Sequence, residues 1–205
     1  MLVEPQQKME IHKLSLKYAD IIYIKNFYSS NEADTIYNDL IANINWDKKE
    51  MEGRQTALYG TAREYKYALN TGIPIHWHQI PSLTNISKKV SEYVNTQFDV
   101  CLANYYADGR EKFNFHTDKE EIGKESPICS LSFGAERKFY FRSKHNNLPN
   151  KDNTIIEEEC VILEHGSLLI IPSICHTYYL HGLPRDNKIK TPRINLTFRK
   201  TNLET

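Results

Sequence analysis

The chain has four cysteines, Cys101, Cys129, Cys160 and Cys175, and no two of them form a CxxC pair. That scatter excludes a disulfide framework and a thiolate zinc site, and it fits a reduced, intracellular compartment, cytoplasm or nucleus. Charge of one sign is lacking too: 26 basic and 26 acidic residues cancel, so no global positive field is present. A local basic stripe can still survive inside a neutral total. No apolar run approaches the ~20 residues that span a bilayer. Residues 1–17 mix Glu4, Gln6, Lys8, Glu10 and His12 among the apolar ones, which is no secretory h-region. There are no internal repeats and no low-complexity linker. What is there is 205 residues, 40% of them hydrophobic, enough for one substantial core but short for two ordinary domains.

After a strand-like run at 21–27, Ser29 and Ser30 offer N-caps, and Ala33, Ile36, Tyr37, Leu40, Ile41 and Ile44 recur at three and four. A second amphipathic helix follows Pro81, with Leu83, Ile86, Val90, Tyr93 and Val94 on its buried stripe and Lys88, Lys89 and Glu92 facing water. From Phe98 the period changes to two. Phe98, Val100 and Leu102 alternate with polar or small residues, and similar runs follow at 128–133, 138–142, 159–163, 167–171 and 193–199. The polar stretches 47–54 and 144–153 read as surface loops. The expected fold class is α+β: an antiparallel double sheet of sandwich or jelly-roll type, braced by two N-terminal helices.

Two patterns carry chemistry. Phe115-His116-Thr117-Asp118 sets a His and an Asp two apart, so on an extended backbone both project from one face and can share an ion. A second His from a distant strand would complete a two-His, one-carboxylate set with three positions open. His165, His176 and His181 all fall near strand ends, and spacing does not choose among them. A polar turn with a hydrogen-bonded His would also contain HxD. In Arg193-Ile-Asn-Leu-Thr-Phe-Arg199, Arg193, Asn195, Thr197 and Arg199 share one face and Ile194, Leu196 and Phe198 the other. Guanidiniums directed into a sandwich are costly without anionic partners, and a dicarboxylate held by two forked donors supplies them. An edge strand with solvated arginines carries the same alternation.

These segments occur in a longer order: Asn104-Tyr-Tyr106-Ala-Asp-Gly109, His116-Thr-Asp118, Ser126-Pro-Ile-Cys-Ser-Leu-Ser-Phe-Gly134, His165-Gly-Ser-Leu-Leu, Tyr179-Leu-His181-Gly-Leu-Pro184, then Arg193 to Arg199. In that order, over roughly residues 18–200, the chain resembles the AlkB-type dioxygenases dependent on iron(II) and 2-oxoglutarate, in particular the homologues that repair DNA. The resemblance implies a double-stranded β-helix (jelly roll). It selects His181, in an aromatic-x-His-Gly turn, as the third metal ligand beside His116 and Asp118. It implies that Arg193, assisted by Tyr106, takes the distal carboxylate of 2-oxoglutarate, that Arg199 and Asn104 orient the carboxylate nearest the metal, and that Asn195 and Thr197 share this co-substrate face. The implied reaction consumes oxygen and 2-oxoglutarate, yields succinate and carbon dioxide, and removes N-methyl groups as formaldehyde from lesions such as 1-methyladenine and 3-methylcytosine.

By the same similarity Tyr65 and Tyr67 line the lesion pocket, His116 contributes the opposing face, and Glu120 looks like the carboxylate that favours a cationic base. The implied partner is nucleic acid, bound by a monomer. Between Trp46 and Tyr59 the chain is short and mostly charged, with Met51 as the sole plausible wedge, which favours single-stranded or unpaired DNA or RNA. Lys48, Lys49, Arg54, Arg63, Lys66 and Arg110 are candidate phosphate contacts. The expected organisation is one domain over 1–205: a flexible tail at 1–17, an N-terminal extension with recognition loops and two helices at 18–97, and a jelly-roll catalytic core at 98–200. Three competing readings differ in class: the same chemistry on a protein or small molecule, a catalytically inactive nucleic-acid-binding module, and an adhesion or sugar-binding β-sandwich.

Overall fold

The computed structural model describes residues 8–51, 53–67, 70–144 and 157–201, without the side chains of 47–51, 67 and 70. In chain order the elements are β1 (Glu10–Leu16), β2 (Ala19–Lys25), α1 (Ser30–Asn43), β3 (Asp47–Met51), β4 (Arg54–Gly60), β5 (Tyr65–Tyr67), β6 (Asn70–Gly72) and α2 (Pro81–Val94). There follow β7 (Val100–Tyr106), β8 (Phe113–His116), β9 (Ile128–Gly134), β10 (Arg137–Ser143), β11 (Glu158–Leu163), β12 (Ser167–Ile171), the one-turn α3 (Cys175–Tyr178), β13 (Tyr179–Leu183) and β14 (Arg193–Arg199).

Both long helices start where the capping chemistry places them. At α1 the Ser29 N–H and hydroxyl both donate to Glu32, at 2.8 and 2.7 Å, within a capping box. At α2 Pro81 occupies the first turn, and Asn95 ends the helix in the left-handed region at φ 51°. Their apolar stripes, including Leu40, Leu83, Ile86 and Val90, pack with Leu131, Phe133, Leu168, Ile194, Leu196 and Phe198 in one core cluster.

An eight-stranded sheet runs β1-β2-β12-β9-β14-β7-β4-β3, a four-stranded sheet runs β11-β10-β13-β8, and β5 and β6 form a separate hairpin. A second core cluster joins Ile21, Tyr106, Ile128 and Leu169 of the large sheet to Phe139, Phe141, Leu163, Tyr179 and Leu183 of the small one. The result is a jelly roll, with the helices on the outer face of the large sheet. Among the described residues no helix is long and apolar enough to cross a membrane.

Three sequence expectations are corrected. Residues 10–16, assigned to a flexible tail, form β1, which pairs with β2 from Glu10↔Lys25 to Leu16↔Ala19. Its outer half is polar and exposed, and Leu14 and Leu16 dip into the inter-sheet core, a pattern too short to stand out as period two. The stretch 47–54, read as a loop, contains β3 paired with the start of β4. An edge strand is permitted to be charged, and charge hides it from an apolar search. The boundary drawn at residue 98 also runs through one sheet, because β2 pairs with β12 and β4 with β7.

Candidate metal centre and co-substrate pocket

His116 ends β8, and His181 faces it directly across the β8–β13 ladder. Their rings lie 4.5 Å apart between centroids. Asp118 follows on extended backbone, at φ −76° and ψ 90°, and Thr117 between them turns the other way to donate to the Tyr179 carbonyl at 2.9 Å. The Asp118 Oδ1 atom is 3.3 Å from His116 Nε2 and 4.0 Å from His181 Nε2. One ligand atom from each of the three residues falls within 4.8 Å of the other two, a separation that one ion can bridge. Among the described residues this is the one such group.

The surroundings set the donor atoms. The Nδ1 of His116 is 2.8 Å from the Asn114 carbonyl oxygen, which makes Nδ1 the proton donor and leaves Nε2 free for an ion. The Arg199 guanidinium donates from Nη2 to Asp118 Oδ2 at 2.8 Å and leaves Oδ1 toward the histidines. Burial works to raise the Asp118 carboxyl, but Arg199 and His116 more than reverse it and hold it well below the usual carboxylate range. Burial pushes His181 down to about 3, so its imidazole is neutral, the form that ligates metal. Phe139 stacks on His181 at 5.7 Å and 10°, and the Phe113 ring stands edge-on to His116 at 5.4 Å. These rings wall the site with apolar surface.

Across the cavity β14 presents Arg193, Asn195, Thr197 and Arg199, with Asn104 and Tyr106 from β7, all buried. Asn195 and Thr197 are bonded within the protein: the Asn195 amide donates to Ser130 Oγ and the Leu131 carbonyl, and the Thr197 hydroxyl donates to Asn195 Oδ1. The arginines differ. Arg193 is 2% exposed, and its Nη2 donates to the Ser132 hydroxyl at 2.9 Å. Its Nε and Nη1, the Nε and Nη1 of Arg199, and Asn104 Oδ1 are buried without a hydrogen-bond partner among the described residues. Burial lowers Arg193 to about 10. Orphaned buried donors on two guanidiniums, lining one cavity with the His116, Asp118 and His181 group that could hold a metal ion, are the complement of an anion. The donor set therefore fits a metal-chelating carboxylic acid.

Residues 20–199 match the model of the 2OG-Fe(II) oxygenase superfamily. The chain belongs to that superfamily. Within it the chain belongs to the AlkB homologues: it is 30% identical to alpha-ketoglutarate-dependent dioxygenase alkB homolog 3 of Bos taurus, over 97% of this chain and 72% of that one. It is 34% identical to the DNA oxidative demethylase ALKBH2 of Mus musculus, over 84% of this chain and 77% of that one. Against the Homo sapiens alkB homolog 3 the identity is 33%, and the match spans 84% of this chain and 63% of the relative. Among solved structures, a prolyl hydroxylase from Trichoplax adhaerens, in complex with a hypoxia inducible factor peptide fragment, superposes with a TM-score of 0.54 at 11% identity, covering 87% of this chain and 81% of that one. That likeness shows the jelly-roll fold. As an AlkB-family oxygenase the chain uses iron(II), 2-oxoglutarate and oxygen.

Around this AlkB-type centre the remaining expected residues divide. Tyr65 is 4% exposed and close enough to Arg199, Glu121, Glu120 and Asp118 to feel their charge; burial raises its hydroxyl pKa. Glu120 is exposed, on the 3₁₀ turn that follows Asp118. The side chains of Tyr67 and Met51 lie outside the described residues. Sequence reasoning missed Glu121, which is 1% exposed and bridged to Lys124 at 2.9 Å. It also placed Arg54 only among phosphate contacts, whereas Arg54 lines the cavity with its guanidinium 5.6 Å from the Phe113 ring centroid. Neither has a local signal, because both depend on what β4 and the 3₁₀ turn pack against.

Proposed function

We propose that this chain removes alkyl groups oxidatively from N-alkylated bases in nucleic acid, of the 1-methyladenine and 3-methylcytosine type, releasing formaldehyde. The observation that carries the reading is the buried Tyr65 beside Arg199 and Asp118, on a hairpin that carries exposed Lys66 and follows exposed Arg63, in a chain more than 30% identical to DNA oxidative demethylases. A planar aromatic wall next to the metal ligands suits a flipped base, and the Glu120 carboxylate nearby favours a cationic one.

In this reading His116, Asp118 and His181 hold iron(II), and Arg193 with Tyr106 and Arg199 with Asn104 hold the two carboxylates of 2-oxoglutarate. The bound metal and 2-oxo acid supply the oxidising chemistry. The protein's own part is positional. Arg199 fixes the Asp118 carboxylate, the Asn114 carbonyl fixes the His116 ring, and Phe113 and Phe139 exclude water. Tyr65 walls the base. The short β3–β4 hairpin supports unpaired DNA or RNA as the preferred substrate, bound by a monomer.

The test is formaldehyde release from oligonucleotides bearing 3-methylcytosine or 1-methyladenine, in single-stranded DNA, duplex DNA and RNA, beside methylated peptides. The expected result is iron-dependent release from the nucleic acids, fastest when unpaired, none from peptides, and loss of all turnover in His116→Ala. Turnover on peptides alone would move the substrate assignment to proteins, and full turnover in His116→Ala would overturn the ligand set.

A further inference from the structure

Arg137 is a third buried guanidinium, at the start of β10 and 2% exposed. Its acceptors are three backbone carbonyls: Asp108 at 3.4 Å, Glu111 at 2.9 Å and Pro184 at 2.7 Å. The first two belong to the loop that leaves β7 directly after Tyr106. The third directly follows β13, the strand that carries His181. The same two loops meet again at Gly109, whose N–H donates to the Ile189 carbonyl at 3.1 Å and whose carbonyl accepts from the Asp186 N–H at 2.8 Å. A Cβ on Gly109 would overlap the Asp186 carbonyl oxygen, so the approach is as close as backbone allows. The guanidiniums of Arg137 and Arg193 lie 5.9 and 5.2 Å from the ring centroid of Tyr106.

Burying a guanidinium is expensive unless its donors are used. Here they span two loops, one ending the wall that receives the distal carboxylate, the other ending the strand that holds the metal. A planar fork of five donors can bridge separate carbonyls at fixed spacing, which a lysine ammonium cannot do. We infer that Arg137 is a positioning residue: it sets the distance between the Tyr106–Arg193 wall and the His181 strand, and thereby the length of 2-oxo diacid the pocket accepts. It touches neither metal nor acid and acts through Tyr106 and the two loops. The inference rests on 2-oxoglutarate binding at Arg193, which the wild-type arm below tests by itself.

The experiment is calorimetric titration of 2-oxoglutarate and its six-carbon homologue 2-oxoadipate into protein saturated with Mn²⁺, after separate titration of Mn²⁺, for wild type, Arg137→Met and Arg137→Lys. Both variants are expected to bind Mn²⁺ as wild type does. Their affinity for 2-oxoglutarate should fall by about tenfold, and that for 2-oxoadipate by less, so that the preference for five carbons narrows by about threefold. Arg137→Lys keeps the charge and answers the question if Arg137→Met does not fold. Unchanged 2-oxoglutarate affinity and preference in a folded variant would overturn the inference, as would Mn²⁺ and both acids weakening together. Wild type that binds Mn²⁺ but not 2-oxoglutarate would instead strike at the co-substrate assignment and remove the inference with it.

Discussion

On one face of β14, Ile194, Leu196 and Phe198 are buried in the core beneath the helices, and on the other Arg193, Asn195, Thr197 and Arg199 are buried against the cavity. Every residue of the strand is buried, so burial alone does not tell the faces apart. Energy does. Each large apolar side chain contributes about 1.5–3 kcal/mol on leaving water. The two guanidiniums lose hydration and recover it only in part: Arg199 through Asp118, Arg193 through the Ser132 hydroxyl. The apolar face holds the strand in place, and the polar face uses that hold to keep unsatisfied charge where an anion can meet it.

Phe198→Ala should break the first half of the contrast, lowering stability by about 3–5 kcal/mol in chemical denaturation. Protein that remains folded should bind 2-oxoglutarate as before, and a matching loss of affinity would show that the faces are coupled. Arg193→Met should break the second half. Removing a buried charged partner weakens 2-oxoglutarate by about 2–5 kcal/mol, while the melting temperature without ligand stays level or rises. A smaller effect sharpens the contrast: 2-oxoglutarate at a hundredfold its Kd should stabilise Mn²⁺-loaded wild type by about 2.7 kcal/mol and Arg193→Met at the same concentration hardly at all.

Smallest, and far from β14, is Ser29→Ala, expected to cost about 1 kcal/mol near neutral pH with turnover untouched. Its hydrogen bonds hold the Glu32 carboxyl below its ordinary value, first through the Ser29 hydroxyl and then through the Ser29 N–H. A lowered folded-state pKa contributes stability above the unfolded pKa that is lost as pH falls through the folded one. The gap between wild type and Ser29→Ala should therefore close in acid melts.

Where local periodicity and caps decide, the sequence reading and the structure coincide: β12 and β14 match residue for residue, α1 starts after its expected cap Ser29, and α2 starts at Pro81. The His116–Asp118 pair was visible because two ligands two residues apart need only extended backbone. His181 was not chosen by spacing, since its partnership with His116 is a cross-strand register between segments 65 residues apart, 181 − 116. The polar edge strands β1 and β3 lacked an apolar stripe. Arg137 and Glu121 are long charged side chains whose burial depends on loops that meet only in three dimensions.

The place of β14 in the large sheet, between β9 and β7, bears on biogenesis. His116, Asp118, His181 and both neighbouring strands leave the ribosome first, so the nascent protein has to wait with two raw sheet edges facing each other across a slot. A chain cut before Arg193 would keep His116, Asp118 and His181, lose Arg193 and Arg199, and expose those edges to other chains. Premature termination should yield insoluble protein, never a leaky oxidase loose in the cell.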